Sequence, residues 1–335
     1  MREDLTLIKK HFKELYKNVQ NPKNTPIEDL VKERRGIVER YGFVNGIEPP
    51  ISEEAKITKL TIGNISAEWL MAPDSDPNKR LLYLHGGAFI AGSINSHRLL
   101  AYELAKRAKI AVLIIDYRLA PENPFPAGLD DCFEAYNWLL ENSLEKKEPA
   151  HKIYVAGDSA GGNLSIALAL KLKKEKKQLP NAISSVSPVL DLFGRGESVK
   201  KLDGIDPVLN RKGLVFGLPM VYLFGKDVLN MKDNKLKVMT KILVSKNKKI
   251  RNPLVSPLYA DLSGLPPIFI NTGENEILRD DSTRFYKKAK EKGVNIKLKI
   301  WPEMMHVFIA FLGYLPEADK CLDEIADFLI NEGVN

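Results

Sequence analysis

Apolar residues at Leu5, Ile8, Phe12, Leu15 and Val19 recur at alternating spacings of three and four, which predicts one amphipathic helix over the first twenty residues. A second helix is signalled by Thr25 as N-cap, Pro26 at the first helical position and Glu28 three residues after the cap, and it runs to near Gly42. Two such helices need an apolar surface to cover, either a core or the mouth of a pocket. The period then changes. Lys56 to Ile62 alternates polar and apolar, Gly63-Asn64 makes a two-residue turn, and Ile65 to Met71 continues as the partner strand of an antiparallel hairpin.

From Arg80 onwards short apolar runs alternate with helical stretches. Strands are expected at Leu81 to Leu84, Ile110 to Asp116, Ile153 to Ala156, Ala182 to Ser187, Ile268 to Thr272 and Ile296 to Trp301. This is the pattern of an α/β protein with a mostly parallel sheet covered on both faces. Between Val189 and Pro253 the alternation fails and short helical pieces such as Leu209 to Phe224 take over, which reads as a lid or cap inserted between two core strands. The organisation expected is N-terminal helices at 1–50 contributing to a cap, a core at 51–190 and 253–335, and a cap insertion at 191–252.

Composition narrows the classes. With 335 residues and 44% hydrophobic content the chain can bury a large core. Charges at Arg2, Glu3 and Asp4 stand where a secretory signal needs an apolar stretch, and no run approaches the ~20 apolar residues of a membrane span, so a cytoplasmic protein without stable membrane insertion is expected. Cys132 and Cys321 form no CxxC pattern and read as reduced core residues, with neither disulfide nor metal site indicated. The net charge of +7 resides in the segment Lys226 to Arg251, where nine Lys or Arg face two acids. That segment holds no aromatic residue on which a base could stack, so a solvated lysine face is favoured over nucleic-acid binding. Leu229, Leu236, Met239 and Leu243 give it one apolar helical face, which suits a cap helix better than a lipid-docking one.

The chemistry centres on Gly157-Asp158-Ser159-Ala160-Gly161. This GxSxG follows the β-branched run ending at Ala156 and passes into the helical pattern from Asn163, the strand–turn–helix setting of a nucleophilic serine. Small residues at 157 and 161 allow so tight a turn. A nucleophile needs a base, an acid behind the base, and donors for an oxyanion. Of the five histidines, His11, His85, His97, His151 and His306, only His306 follows Ser159 on a loop at the sheet's carboxyl edge, as the order nucleophile, acid, base requires. The acid belongs on the loop after the strand at 268–272, where Glu274, Glu276, Asp280 and Asp281 stand. Asp280 and Asp281 look like the first turn of a helix, where anions favour the dipole, which leaves Glu276 ahead of Glu274. Oxyanion donors are expected from the amides of Ala160 and of the Gly86-Gly87 pair in His85-Gly86-Gly87-Ala88-Phe89.

With these parts in order, the chain resembles the hormone-sensitive-lipase type of α/β-hydrolase, the bacterial esterase branch that also contains arylacetamide deacetylases. The motifs are HGGAF at 85–89, DYRLAPENPFPAGLDD at 116–131, GDSAGG at 157–162, SPLYADLSGLPP at 256–267 and GENEILRDDS at 273–282. The resemblance implies an eight-stranded sheet with a helical cap. It also implies cofactor-free and metal-free hydrolysis of short- to medium-chain acyl esters, with Ser159 as nucleophile, His306 as base, and Gly86, Gly87 and Ala160 as oxyanion donors. The partner expected is a small-molecule ester, not a nucleic acid, and a homodimer is left open. Where the family usually carries Asp, this chain has Glu276, and its cap insertion is longer and more basic. Alternatives are amide or lactone hydrolysis, or a non-catalytic binding protein such as the plant gibberellin receptors, which resemble the family but lack the histidine that this chain keeps at 306.

Overall fold

A computed structural model describes residues 2–17, 27–144, 146–211, 214, 218–225 and 249–332. The chain opens with α1 (Glu3–Leu15) and α2 (Ile27–Val38), followed by the hairpin β1 (Lys56–Ile62) and β2 (Ile65–Met71). Then come β3 (Asp76–Leu84), α3 (Ile94–Ala108), β4 (Ile110–Ile115), α4 (Ala127–Glu141), β5 (Lys152–Asp158), α5 (Ser159–Lys174) and β6 (Ala182–Val186). Among the described residues two short helices, α6 (Ser198–Lys201) and α7 (Leu218–Phe224), lie between β6 and β7. The chain returns to the core with β7 (Ile268–Gly273), α8 (Arg279–Glu291), β8 (Ile296–Trp301) and α9 (Pro316–Glu332).

The strands form one eight-stranded sheet in the order β1-β2-β4-β3-β5-β6-β7-β8. The hairpin joins antiparallel through β2 and β4, and every pairing from β4 to β8 is parallel. The central strands are buried on both faces, as β4 with its run IAVLII shows. Its even residues Val112 and Ile114 pack with Leu104 of α3 and Ile325 of α9, while Leu113 and Ile115 pack with Leu139 of α4 and Leu168 of α5. Alternation along a strand thus feeds two separate cores.

The hairpin closes with Ile62 opposite Ile65, as its turn residues require. β3 begins earlier than its apolar residues indicate, because its first residues are polar and exposed to intermediate degree, with a register shift between Asp76 and Arg80. α1 ends at Leu15, short of the twenty residues expected, and α2 ends at Val38 rather than near Gly42. Val19 and the Thr25–Pro26 cap lie outside the described residues, as does the lysine-rich stretch 226–248 with Leu229, Leu236, Met239 and Leu243. Cys132 on α4 and Cys321 on α9 are free thiols in the core. Among the described residues no helix is long and apolar enough to cross a membrane.

Candidate active site

Because β5, β6, β7 and β8 are neighbours and parallel, their carboxyl ends gather at one edge of the sheet. Ser159 is the first residue of α5, directly after β5, and is held at φ +50°. A serine in the left-handed region is strained, and the strain is sustained by packing around the turn. A Cβ on Gly161 would stand 1.9 Å from the Leu84 carbonyl oxygen, so only glycine lets α5 start so close to β3.

His306, on the loop after β8, brings Nε2 to 2.9 Å from the Ser159 hydroxyl. Its backbone carbonyl accepts a 2.8 Å hydrogen bond from the Tyr41 hydroxyl, contributed by the segment after α2. Glu276 is fully buried beyond β7. Its Oε2 accepts from the Ser187 hydroxyl at 2.6 Å and from the Gly273 amide at 2.9 Å. Its Oε1 lies 3.9 Å from His306 Nδ1, and neither atom has another hydrogen-bond partner among the described residues. At that distance the contact is one of charge, not a formed hydrogen bond. The two loops are pressed together, with the Glu274 and Asn275 amides donating to the Trp301 and Met304 carbonyls and a Cβ on Gly273 falling 2.3 Å from the Met304 oxygen.

Burial pulls the His306 imidazole toward its neutral form, but Glu276, then Asp206 and Asp158, outweigh it and leave the pKa above the ordinary value. Asp206 comes from the insertion. It is buried, its Oδ2 accepts from the Ile277 amide at 3.0 Å, and burial raises its own pKa. The other carboxylates on the acid loop are engaged elsewhere. Glu274 accepts from the Glu303 amide, Asp280 from the Ser198 amide, and Asp281 from the Leu190 and Asp191 amides. Asp280 and Asp281 do occupy the first turn of α8. Asp281 is nevertheless fully buried, and burial followed by the neighbouring Asp191 drives its pKa up to about 8.

Behind Ser159 lies a second polar cluster. Asp158 accepts from the Tyr83 hydroxyl at 2.9 Å and from the Gly86 amide at 3.1 Å, and its Oδ2 is 3.5 Å from His97 Nε2. Burial alone would raise the Asp158 pKa, but His97, Tyr83 and His85 bring it below the usual value, so it stays an anion. His85 stacks on Tyr117 at 4.2 Å, and burial followed by His97 pushes its pKa down to about 3.

This cluster corrects one expectation. The Gly86 N–H is directed at Asp158 and His97, so it is not free to meet an oxyanion. Among the described residues, no acceptor takes the amide hydrogens of Gly87 or Ala88, which follow in a turn with φ of +116° and +56°. The Ala160 amide is in the first turn of α5, where helical geometry leaves N–H groups unpaired. Sequence reasoning also passed over Ser187, Asp206 and Tyr41, since each acts from a separate element through contacts that leave no local pattern.

A family profile described as the alpha/beta hydrolase fold matches residues 81–310. An esterase of Acinetobacter venetianus is 33% identical over 279 residues, 83% of this chain and 83% of that protein. An acetyl-hydrolase of Streptomyces hygroscopicus is 34% identical over 270 residues, 81% of each chain. Among solved structures, an esterase from the bacterial hormone-sensitive lipase family superposes with a TM-score of 0.80 at 31% identity, covering 99% of both chains. The chain belongs to the alpha/beta hydrolase family. Within it, the chain falls on the hormone-sensitive-lipase-type bacterial esterase branch and is an ester hydrolase.

Proposed function

We propose that the protein is a serine carboxylesterase that works through an acyl-enzyme, with Ser159 as nucleophile, His306 as general base and Glu276 as the acid behind it. The observation that carries this reading is the His306 ring itself, with Nε2 at 2.9 Å from Ser159 Oγ and Nδ1 facing a Glu276 oxygen that has no hydrogen-bond partner among the described residues. As Ser159 Oγ bonds to the ester carbonyl carbon, its proton passes to His306 Nε2. The imidazolium so formed is stabilised by Glu276. The carbonyl oxygen becomes an oxyanion, for which the amides of Gly87, Ala88 and Ala160 are the donors we assign. Collapse breaks the bond to the alkoxy oxygen, which leaves as alcohol with the proton from His306. Water, deprotonated by His306, then attacks the acyl carbon and releases the acid and free Ser159.

The acyl groups proposed are short to medium in length, in keeping with the Streptomyces relative named as an acetyl-hydrolase. Ser159→Ala should lower turnover of p-nitrophenyl acetate and butyrate by on the order of 10⁴-fold or more, and undiminished hydrolysis would overturn the assignment. A series of p-nitrophenyl esters should show kcat/KM highest at eight acyl carbons or fewer, whereas a rising trend beyond that would contradict the chain-length reading.

A further inference from the structure

Four adjacent parallel strands end at the site, and three of them carry the proposed triad: Ser159 after β5, Glu276 after β7 and His306 after β8. The strand between nucleophile and acid, β6, ends next to Ser187. The Ser187 amide makes one last bond to the neighbouring strand, donating to the Asn271 carbonyl at 2.7 Å. The backbone then turns through φ +49°, a conformation a serine takes only at a cost, and the side chain enters the space between the acid and base loops. There its hydroxyl makes two bonds at once. It donates to Glu276 Oε2 at 2.6 Å and accepts from the Val307 amide, one residue past His306, at 3.1 Å. Ser187 is fully buried, so water offers no ready substitute for either bond.

We propose that Ser187 is a positioning residue for ester hydrolysis, its hydroxyl fixing which oxygen of Glu276 faces His306 and tying that carboxylate to the loop that carries the base. Glutamate has one more rotatable bond than the aspartate usual in the family, so its carboxylate needs more restraint. Ser187 and the Gly273 amide both bind Oε2, which leaves Oε1 alone to face His306 Nδ1. Without the hydroxyl, the carboxylate loses its charge-assisted bond and the Val307 N–H becomes a buried donor lacking an acceptor. This inference rests on the triad reading above.

The test is steady-state kinetics of the full chain with p-nitrophenyl butyrate for Ser187→Ala, Ser187→Gly, Glu276→Gln and the Ser187→Ala/Glu276→Gln double variant, beside Ser159→Ala. Each Ser187 variant should lose on the order of tenfold in kcat while KM stays within about twofold. Ser187→Gly should be slow although glycine suits the backbone angle. Because Ser187 acts through Glu276, its removal should cost less than about twofold once Glu276 is glutamine. Wild-type kcat in either Ser187 variant, a loss confined to KM, or a loss that multiplies in full with that of Glu276→Gln would overturn the proposal. If Ser187→Ala does not fold, Ser187→Gly decides, and failure of both to fold would mark Ser187 as structural and reject the positioning role. An active Ser159→Ala would remove the triad reading and this proposal together. An inactive Ser159→Ala beside fully active Ser187 variants would remove only the positioning role.

Discussion

Two buried carboxylate–histidine pairs stand at the carboxyl edge of the sheet, and they are built from matching parts. Asp158 takes a tyrosine hydroxyl, a glycine amide and His97; Glu276 takes a serine hydroxyl, a glycine amide and His306. The difference is in the histidine. His97 has Nδ1 against the Ser96 hydroxyl at 2.8 Å and Nε2 against the Gly86 amide at 3.3 Å, so both ring nitrogens are occupied. His306 has Nε2 on Ser159 and Nδ1 with no hydrogen-bond partner among the described residues, 3.9 Å from a carboxylate oxygen in the same condition. A saturated pair is a scaffold. A pair with one bond still to form can gain that bond as the ring becomes charged, and the proposed mechanism draws transition-state stabilisation from that gain.

The two carboxylates should respond differently to removal of their charge. Glu276→Gln should lower kcat by on the order of 10³- to 10⁴-fold with a melting temperature close to wild type, because it removes the charge that stabilises an imidazolium. Asp158→Ala should do the reverse in proportion. It strands the Tyr83 hydroxyl and leaves the Gly86 amide only the longer bond to His97, so thermal denaturation should show a loss of roughly 3 kcal/mol or more, with a smaller fall in kcat from the loosened turn at 86–89. Equal melting losses in the two variants would mean that the two carboxylates are equally structural.

A smaller effect concerns pH. In the proposed mechanism His306 must be neutral to accept the Ser159 proton, and its pKa is raised, so kcat/KM should fall as pH drops through a value above the ordinary imidazole pKa of about 6.5. Asp206→Asn removes one of the negative charges that raise it while leaving an oxygen to accept from the Ile277 amide. The acid limb of the pH profile should then move to lower pH, and an unmoved limb would show that Asp206 serves only to hold its segment against the loop after β7.

Much of this was readable from residue order. The hairpin falls where alternation and turn chemistry put it, because a two-residue Gly-Asn turn leaves one register open, and β8 spans the short run Ile296 to Trp301 that separates two helical stretches. Ser159 and His306 stood out because a strand–turn–helix motif and a fixed chain order constrain them together, and Glu276 because its neighbours have duties at a helix start. The contacts of Ser187, Asp206 and Tyr41 were not readable, since each depends on which strand ends lie side by side. Gly86 shows a different limit. The Gly pair marks a turn near Ser159, but which amide points into the site depends on backbone angles, and Asp158 claims the first.

In the proposed mechanism Ser159 carries the acyl group between two half-reactions. Rapid acid quench during turnover of p-nitrophenyl butyrate, followed by peptide mass spectrometry, should find a butyryl group on the peptide containing Ser159 in the wild-type chain and none there in Ser159→Ala. Butyryl on a different residue, or continued turnover by Ser159→Ala, would contradict it.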